Sequence, residues 1–351
     1  MTTYAEIVQK LVQGQIYTGL GPNQRRLWPR FAYHFTDILN AVAILKDGEL
    51  ASRAKMIQAN QMANDNASQA VISGTDPAIA NFVRLYFRPK TPTQFNNEGF
   101  QTQRQRSSYN ADCPIPVFFL FDLPALLAEP DVRFSTKTLA AHEQVELFQG
   151  PEAFSRLPFD KIYHNHAIYV EEDKRAIVQS RQAEIVIPDQ LKFQHLEHIV
   201  TRSAAEKETL RALLHAIDIY RYDELITDAD ADLFFKDRNY IDQVMMSDLG
   251  ATIISRTNYA FPPEWGDASA TGILFAQNSD QKDAYLNLTA RFTLPDGSVL
   301  NWPAAEYGDA VLKDQVNLRF KHPESQYQLE IEINHHIAFR GEYVGDDDLP
   351  F

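Results

Sequence analysis

The sequence holds a single cysteine, Cys113, among 351 residues. One thiol cannot close an internal disulfide, and this usage fits a reducing compartment such as the cytosol. Long apolar runs are missing too. The best candidate, "IPVFFLFDLPALLA", is broken by Asp122 and Pro124 well short of the ~20 residues that span a bilayer. The opening "MTTYAEIVQKLV" has no charged lead and no apolar h-region, and Ile7, Leu11 and Val12 predict an amphipathic helix instead. No sorting signal and no membrane contact are expected. There is no Gly-x-Gly-x-x-Gly and no P-loop, which excludes a Rossmann-style nucleotide cradle. The histidine pairs His164/His166 and His335/His336 lack cysteine or carboxylate partners at zinc spacing, so no metal is expected.

Positive charge is scarce and unevenly placed. Against 33 Lys/Arg stand 47 Asp/Glu, a net charge of −14. Residues 216–351 hold 10 basic and 24 acidic side chains, which leaves 23 of each in residues 1–215. The whole excess therefore sits in the last third, a domain-scale asymmetry. With no internal repeat, the change of texture places a boundary near residue 217. It separates residues 1–216 from an acidic, β-rich domain at 217–351, for which a regulatory or sensing role is expected.

The chain offers clear local signals. "RFAYHFTDILNAVAILKDGEL" reads as a strand, an N-cap at Thr36 or Asp37, a helix with Ile38, Val42 and Leu45 on one face, and Gly48 at C′. Residues 51–82 read as helix and loop. "FVRLYFRPKTP" alternates like a strand up to Pro89, "PIPVFFLFD" is a strongly apolar strand, and "LEHIVTRSAAEKETLRALLHAI" is a strand followed by an amphipathic helix. Further on, "AYLNLTARFTLPDGSVLNWP" predicts a hairpin turning at Pro295-Asp296-Gly297, and "QYQLEIEINHHIAFRGEY" a half-exposed strand.

One stretch poses a question. "SRQAEIVIP" sets Glu184 at the mouth of a short apolar strand, where an unpartnered carboxylate costs on the order of 3–5 kcal/mol. It is either an edge-strand residue facing water or a residue with a job. Two other elements bear on the choice. In "YHFT", His34 and Thr36 end a strand just before a helix start, a setting suited to a phosphate or ribose. In "YFRPKTP", Arg88 and Lys90 are candidates for phosphates.

These elements, in this order, resemble the DarT family of DNA ADP-ribosyltransferases. "YHFTDILNAVAILKDGEL" is similar to the family's opening, His-x-Thr and then a helix with Asn40, Ile44 and Leu45 closing at Gly48-x-Leu50. "VRLYFRPKTP" resembles its strand ending in Phe-x-Pro-Arg/Lys-Ser/Thr-Pro, and "RQAEIVIP" its Arg-Gln-Ala-Glu strand. The resemblance runs over about residues 30–215. It implies an α+β ADP-ribosyltransferase fold, a split, mainly antiparallel sheet with helices around an NAD cleft. It implies Glu184 as the catalytic glutamate, with His34, Thr36 and Asn40 as NAD contacts. The family also uses an arginine after the first helix. "QANQMANDNASQAVIS" contains none, and Arg53 in "ASRAKM" is the nearest candidate. NAD as substrate without a metal, a single-stranded DNA acceptor with thymine favoured, a toxin or phage-defence role, a macrodomain antitoxin as partner and a cytoplasmic location follow from the same resemblance.

Elementary chemistry supports those roles. Cleaving the bond between ribose and nicotinamide passes through an oxocarbenium-like ribose, and a nearby carboxylate stabilises charge present only in the transition state. A preorganised contact of this type is worth roughly 3–4 kcal/mol, or 10²–10³ in rate. Glu184 is therefore expected to face a cleft with the substrate as its partner. Single-stranded DNA presents a base without an unpairing cost, and aromatic or guanidinium surfaces stack it. "RRLWPR", with Arg25, Arg26, Trp28 and Arg30, and "QTQRQRSSY", with Arg104, Arg106 and Tyr109, are candidate contacts alongside Arg88 and Lys90. Two alternatives stay open. One is the same transfer to guanine, RNA or protein. The other is a non-catalytic single-stranded DNA or NAD binder.

Overall fold

Thr3 accepts from the Glu6 amide while the Glu6 side chain caps the Thr3 amide, a reciprocal start to the helix Tyr4–Gln13. That helix buries Tyr4, Ile7, Val8 and Leu11. The computed structural model describes residues 2–59, 77–106, 112–140, 145–228, 232–259, 284–304 and 310–345. Contacts divide the chain into two compact units whose segments interleave. The first comprises residues 1–97, 117–200 and 230–234, the second residues 98–116, 201–229 and 235–351. Residue 217 lies within the second.

The first unit is built on a sheet of β1 (Phe31–Asp37), β3 (Phe82–Tyr86), β4 (Pro116–Asp122), β5 (Arg133–Phe134), β6 (Glu184–Pro188) and β8 (Leu196–Thr201). Through this unit the strand order is β5-β6-β3-β1-β4-β8. β1 with β3, β3 with β6 and β5 with β6 run antiparallel, with Tyr86 opposite Glu184 and Arg84 opposite Val186. A separate pair joins β2 (Glu49–Ala51) to β7 (Gln190–Lys192). The apolar run of β4 is buried from Pro116 to Phe121, where Phe118 and Phe119 meet Tyr33, Phe35, His34 and Phe193. β3 alternates as its sequence predicts, with Val83 and Leu85 buried.

Between β1 and β2 runs the helix Ile38–Asp47. Asp37 is its N-cap, accepting from the Leu39 amide at 3.0 Å, and Gly48 closes it in the left-handed region at φ 74°. A side chain there would be strained, which is why the position suits glycine.

The second unit carries β9 (Ile226–Thr227), β10 (Tyr240–Ser247), β11 (Gly250–Arg256), β12 (Asn287–Thr293), β13 (Val299–Trp302), β14 (Ala310–Val311), β15 (Gln315–Arg319), β16 (Gln326–Ile333) and β17 (His336–Val344). One antiparallel sheet has the order β10-β11-β15, another β13-β12-β16-β17 with β14 on β12. The hairpin of β12 and β13 turns through Pro295-Asp296-Gly297, with the Gly297 amide donating to Leu294 O. "QYQLEIEINHHIAFRGEY" is two strands rather than one. Asn334 and His335, both at positive φ, form a two-residue turn that folds β17 back onto β16. Packed against β17 and β10 is the helix Ala204–His215, capped by Ser203. Beside its first turn a buried Arg202 pairs with Glu206 and Glu98 and lies over the Tyr240 ring.

Candidate active site

β1 ends at the cleft. Its Thr36 is buried, and its His34 faces a cavity of about 330 Å³ lined also by Asn40, Asp47, Glu49 and Lys55. The His34 Nδ1 lies 3.4 Å from the Arg84 carbonyl. A carbonyl only accepts, so the hydrogen resides on Nδ1 and Nε2 is left as an acceptor. Burial pushes the His34 pKa down to about 4, which the bond to Arg84 O only partly opposes. The ring is therefore neutral at pH 7. Also in the lining, Lys55 donates to Glu49 at 2.6 Å and to Gln190 on β7, tying the helix Arg53–Gln58 to the β2/β7 pair. The three residues expected to contact NAD thus line one cavity of ligand-binding size.

Glu184 opens β6, between β5 and β3, and its side chain is fully buried. It is not an edge residue facing water. Its main chain is bound to Ser135, whose amide donates to Glu184 O at 2.8 Å and whose hydroxyl accepts from the Glu184 amide at 3.0 Å. The carboxylate receives a two-pronged guanidinium: Arg84 Nε donates to Oε2 and Nη2 to Oε1 at 2.7 Å. Oε1 also accepts from the Leu139 amide at 3.1 Å and the Thr138 hydroxyl at 3.4 Å. Burial alone would lower the Arg84 pKa, and the adjacent Glu184 charge more than reverses this and raises it. The Tyr86 hydroxyl, on the same strand, has its pKa raised by burial and then by Glu184. Expected to have the substrate as partner, Glu184 has Arg84 as partner here, and it does not line the cavity.

Arg84 is the residue that sequence reasoning passed over. "FVRLYFRPKTP" drew attention to Arg88 and Lys90, yet a carboxylate heading an apolar strand calls for a cation in a neighbouring strand. Arg84, two residues from the Glu184 partner Tyr86, meets that requirement: long side chains at diagonal positions of adjacent strands reach each other. Arg53 begins the helix Arg53–Gln58, behind the Ser52 cap. The arginine paired with Glu184 is Arg84. Most of the stretch "QANQMANDNASQAVIS", and Tyr109, lie outside the described residues.

The residues expected to meet DNA are dispersed. Arg88 is only 2% exposed and Trp28 not at all. The Arg88 guanidinium sits 4.9 Å from the Trp28 ring and donates to the carbonyls of Pro89, Ile162 and His164 and to Asn165 Oδ1. Burial first, and Arg181 second, lower its pKa to about 9. These two side chains hold the core together rather than present a face to a strand of DNA. Lys90 pairs with Asp232. In the second unit, Arg106 pairs with Asp112 at 2.9 Å, whereas Arg104 is exposed. His164 accepts from Arg181 Nη2 at 2.7 Å, and His335 belongs to the β16/β17 turn.

A family profile described as "ssDNA thymidine ADP-ribosyltransferase, DarT" matches residues 33–231. Among solved structures, the Thermus sp. 2.9 DarT in complex with NAD+ is 17% identical, with a TM-score of 0.44, over 59% of this chain and 98% of that one. The same protein in complex with ADP-ribosylated ssDNA is 17% identical, with a TM-score of 0.46, over 59% and 97%. Thermosipho africanus DarTG in complex with ADP-ribose is 13% identical, with a TM-score of 0.43, over 62% and 53%. No curated protein gives a significant match.

Proposed function

The chain belongs to the DarT family of ssDNA thymidine ADP-ribosyltransferases, and on that premise we propose that the His34 cavity takes NAD and that Glu184 serves the ribosyl transition state. The observation that carries this reading is the clustering of His34, Thr36 and Asn40 on one 330 Å³ cavity, with the His34 ring tied to the strand that grips Glu184. The neutral His34 presents Nε2 to a ribose hydroxyl. Asn40 supplies an amide, and Thr36 is the last residue before the Asp37 cap. In the reaction, the bond from ribose C1′ to nicotinamide breaks, a bond from C1′ to a thymine ring nitrogen forms, and the proton on that nitrogen is released. Glu184 stabilises the positive ribose between the two events.

Arg104 and Arg106 are assigned to DNA phosphates, Glu184 to catalysis, and residues 1–216 to the transfer activity. Among the described residues no helix is long and apolar enough to cross a membrane, and the proposed place of action is the cytoplasm, where NAD and DNA are both present. A macrodomain antitoxin that reverses the modification is the proposed partner, and a toxin or phage-defence role the proposed context.

The test is mass spectrometry of short single-stranded oligonucleotides incubated with the protein and NAD. An ADP-ribose adduct on thymidine, absent from thymidine-free sequences, is the expected result. An adduct confined to guanine, RNA or protein overturns the choice of acceptor, and the absence of any adduct supports a binding role alone.

A further inference from the structure

A second cavity, of about 230 Å³, lies wholly among residues of the second unit, lined by Gln103, Arg106, Tyr285, Asn287, Asn334 and His335. Hydrogen bonds fix its walls. The Thr102 and Gln105 side chains accept from each other's amides at 3.2 and 3.0 Å, and Gln105 Nε2 donates to Asn258 O at 2.8 Å. The turn that carries Gln103 and Arg106 is thereby held on both sides. The Asn287 amide donates to Asn334 Oδ1 at 2.8 Å, and the Asn334 amide returns a bond to Asn287 O at 2.9 Å. Asn334 and His335 stand at φ 48° and 66°. A second non-glycine residue in the left-handed region is a strain of the kind that gathers at binding sites. The Tyr285 ring stands edge-to-face with Tyr259 at 5.6 Å. Arg106 gives Nη2 to Asp112 at 2.9 Å, and a guanidinium has further donors. Asn287 Oδ1 is buried and has no donor among the described residues. Buried polar atoms are almost always paired, so that oxygen calls for a donor from outside the chain.

We propose that this cavity binds one nucleotide, the unit shared by a free nucleoside monophosphate and a single strand. Tyr285 supplies a face for the base, the Asn287 carboxamide pairs with a base edge that sets a donor beside an acceptor, and Arg106 meets the phosphate. The size agrees. Sites for drug-sized ligands run to roughly 300–1,000 Å³, so this smaller one suits a single base with its sugar. Charge gives little help, since residues 216–351 carry the whole acidic excess and repel phosphate at a distance. Recognition therefore falls on the ring and the amides, with Arg106 as the local exception. This site extends the assignment of Arg106 to a phosphate and needs neither the His34 role nor the Glu184 role.

The experiment is isothermal titration of the full chain with thymidine 5′-monophosphate and with hexathymidylate, in wild type, Tyr285→Ala, Tyr285→Phe and Asn287→Leu. Tyr285→Ala is expected to weaken binding about 5- to 100-fold, while Tyr285→Phe, which keeps the ring, stays close to wild type. Asn287→Leu removes an unpaired buried atom, so stability in urea is expected to hold or rise while affinity falls about 10-fold. A merely structural asparagine loses stability instead. A loss seen with the monophosphate identifies a free nucleotide as a sufficient occupant, and a loss seen with hexathymidylate alone identifies a unit of a strand. Unchanged affinity for both probes in Tyr285→Ala and Asn287→Leu overturns the proposal, as does a wild type that binds neither. Should Tyr285→Ala fail to fold, Asn287→Leu decides. Tyr285-dependent binding by a protein that forms no thymidine adduct defeats the transfer reading and leaves this site standing.

Discussion

Replacing Glu184 by glutamine changes one atom of the side chain and alters two quantities at once. In the wild type the carboxylate accepts two bonds from Arg84 and one from the Leu139 amide. Glutamine keeps one oxygen for Leu139 and Nη2, but turns an NH2 towards Arg84 Nε, donor against donor. Hydrogen bonds to charged groups are worth about 1.5–3 kcal/mol each. Breaking a fully buried pair costs about 3–5 kcal/mol, and the exposed third of Arg84 lets water solvate the freed guanidinium. The expected loss of stability is therefore about 2–3 kcal/mol, read as a fall in Tm of roughly 4–12 °C for a domain of about 200 residues. Alanine, which also strands the Leu139 amide, loses more. On the proposed role of Glu184, catalysis is expected to fall further, by about 10²–10³ in kcat, with loss of the charge assigned to the ribosyl cation. Thermal melts, and oligonucleotide mass spectrometry on the same sample at a temperature where both proteins are folded, separate the two effects. Transfer within a few-fold of wild type in a folded Glu184→Gln protein refutes the mechanism.

Three further outcomes are expected. Arg88→Met loses about 2–4 kcal/mol in a urea melt, because it orphans buried carbonyls, and leaves the DNA affinity of the folded protein unchanged. A weakened DNA affinity at unchanged stability counts against the core role. His34 has its folded pKa depressed by burial to about 4 from an ordinary 6.5, so its contribution is present above pH 6.5 and lost as pH falls towards 4, by up to about 3 kcal/mol. His34→Gln removes that component of the pH dependence of urea stability, and an identical slope in the variant contradicts it. Deleting residues 217–351 strips partners from chain that remains, since Phe100 pairs with Asn239, Ser203 donates to Ile241 O and Arg202 lies over Tyr240. The shortened protein is expected to lose cooperative unfolding and to aggregate. A sharp melt in residues 1–216 overturns this.

What the sequence made legible was local. The Asp37 cap, Gly48 at the end of the helix, alternation along β3 and the Pro295-Asp296-Gly297 hairpin each depend on chemistry within a few residues. The Asn334-His335 turn escaped notice because it lacks the glycine that marks most two-residue hairpins, although Asn tolerates positive φ. Non-local partners were harder. Glu184 stood out as a carboxylate heading an apolar strand and was expected to meet the substrate; naming Arg84 as its partner requires knowing that β3 and β6 are neighbours. Arg88 shows the opposite error. A basic residue beside a proline turn looks like surface, and only the packing of Trp28 and the carbonyls near residue 163 shows it to be interior.

The interleaving of the two units bears on how the protein is made. Arg84 and Glu184 are 100 positions apart in the chain. At ~5–20 residues per second, a ribosome takes roughly 5–20 s to travel from one to the other. The nascent chain during that interval has its cavity strand but not the carboxylate proposed for catalysis, and residues 98–116 await partners not yet synthesised. Contacts of such long range also slow folding once the chain is free. Until residue 184 is made, a transferase arranged in this order lacks the carboxylate proposed for its chemistry, while the nascent chain already lies beside nucleic acid.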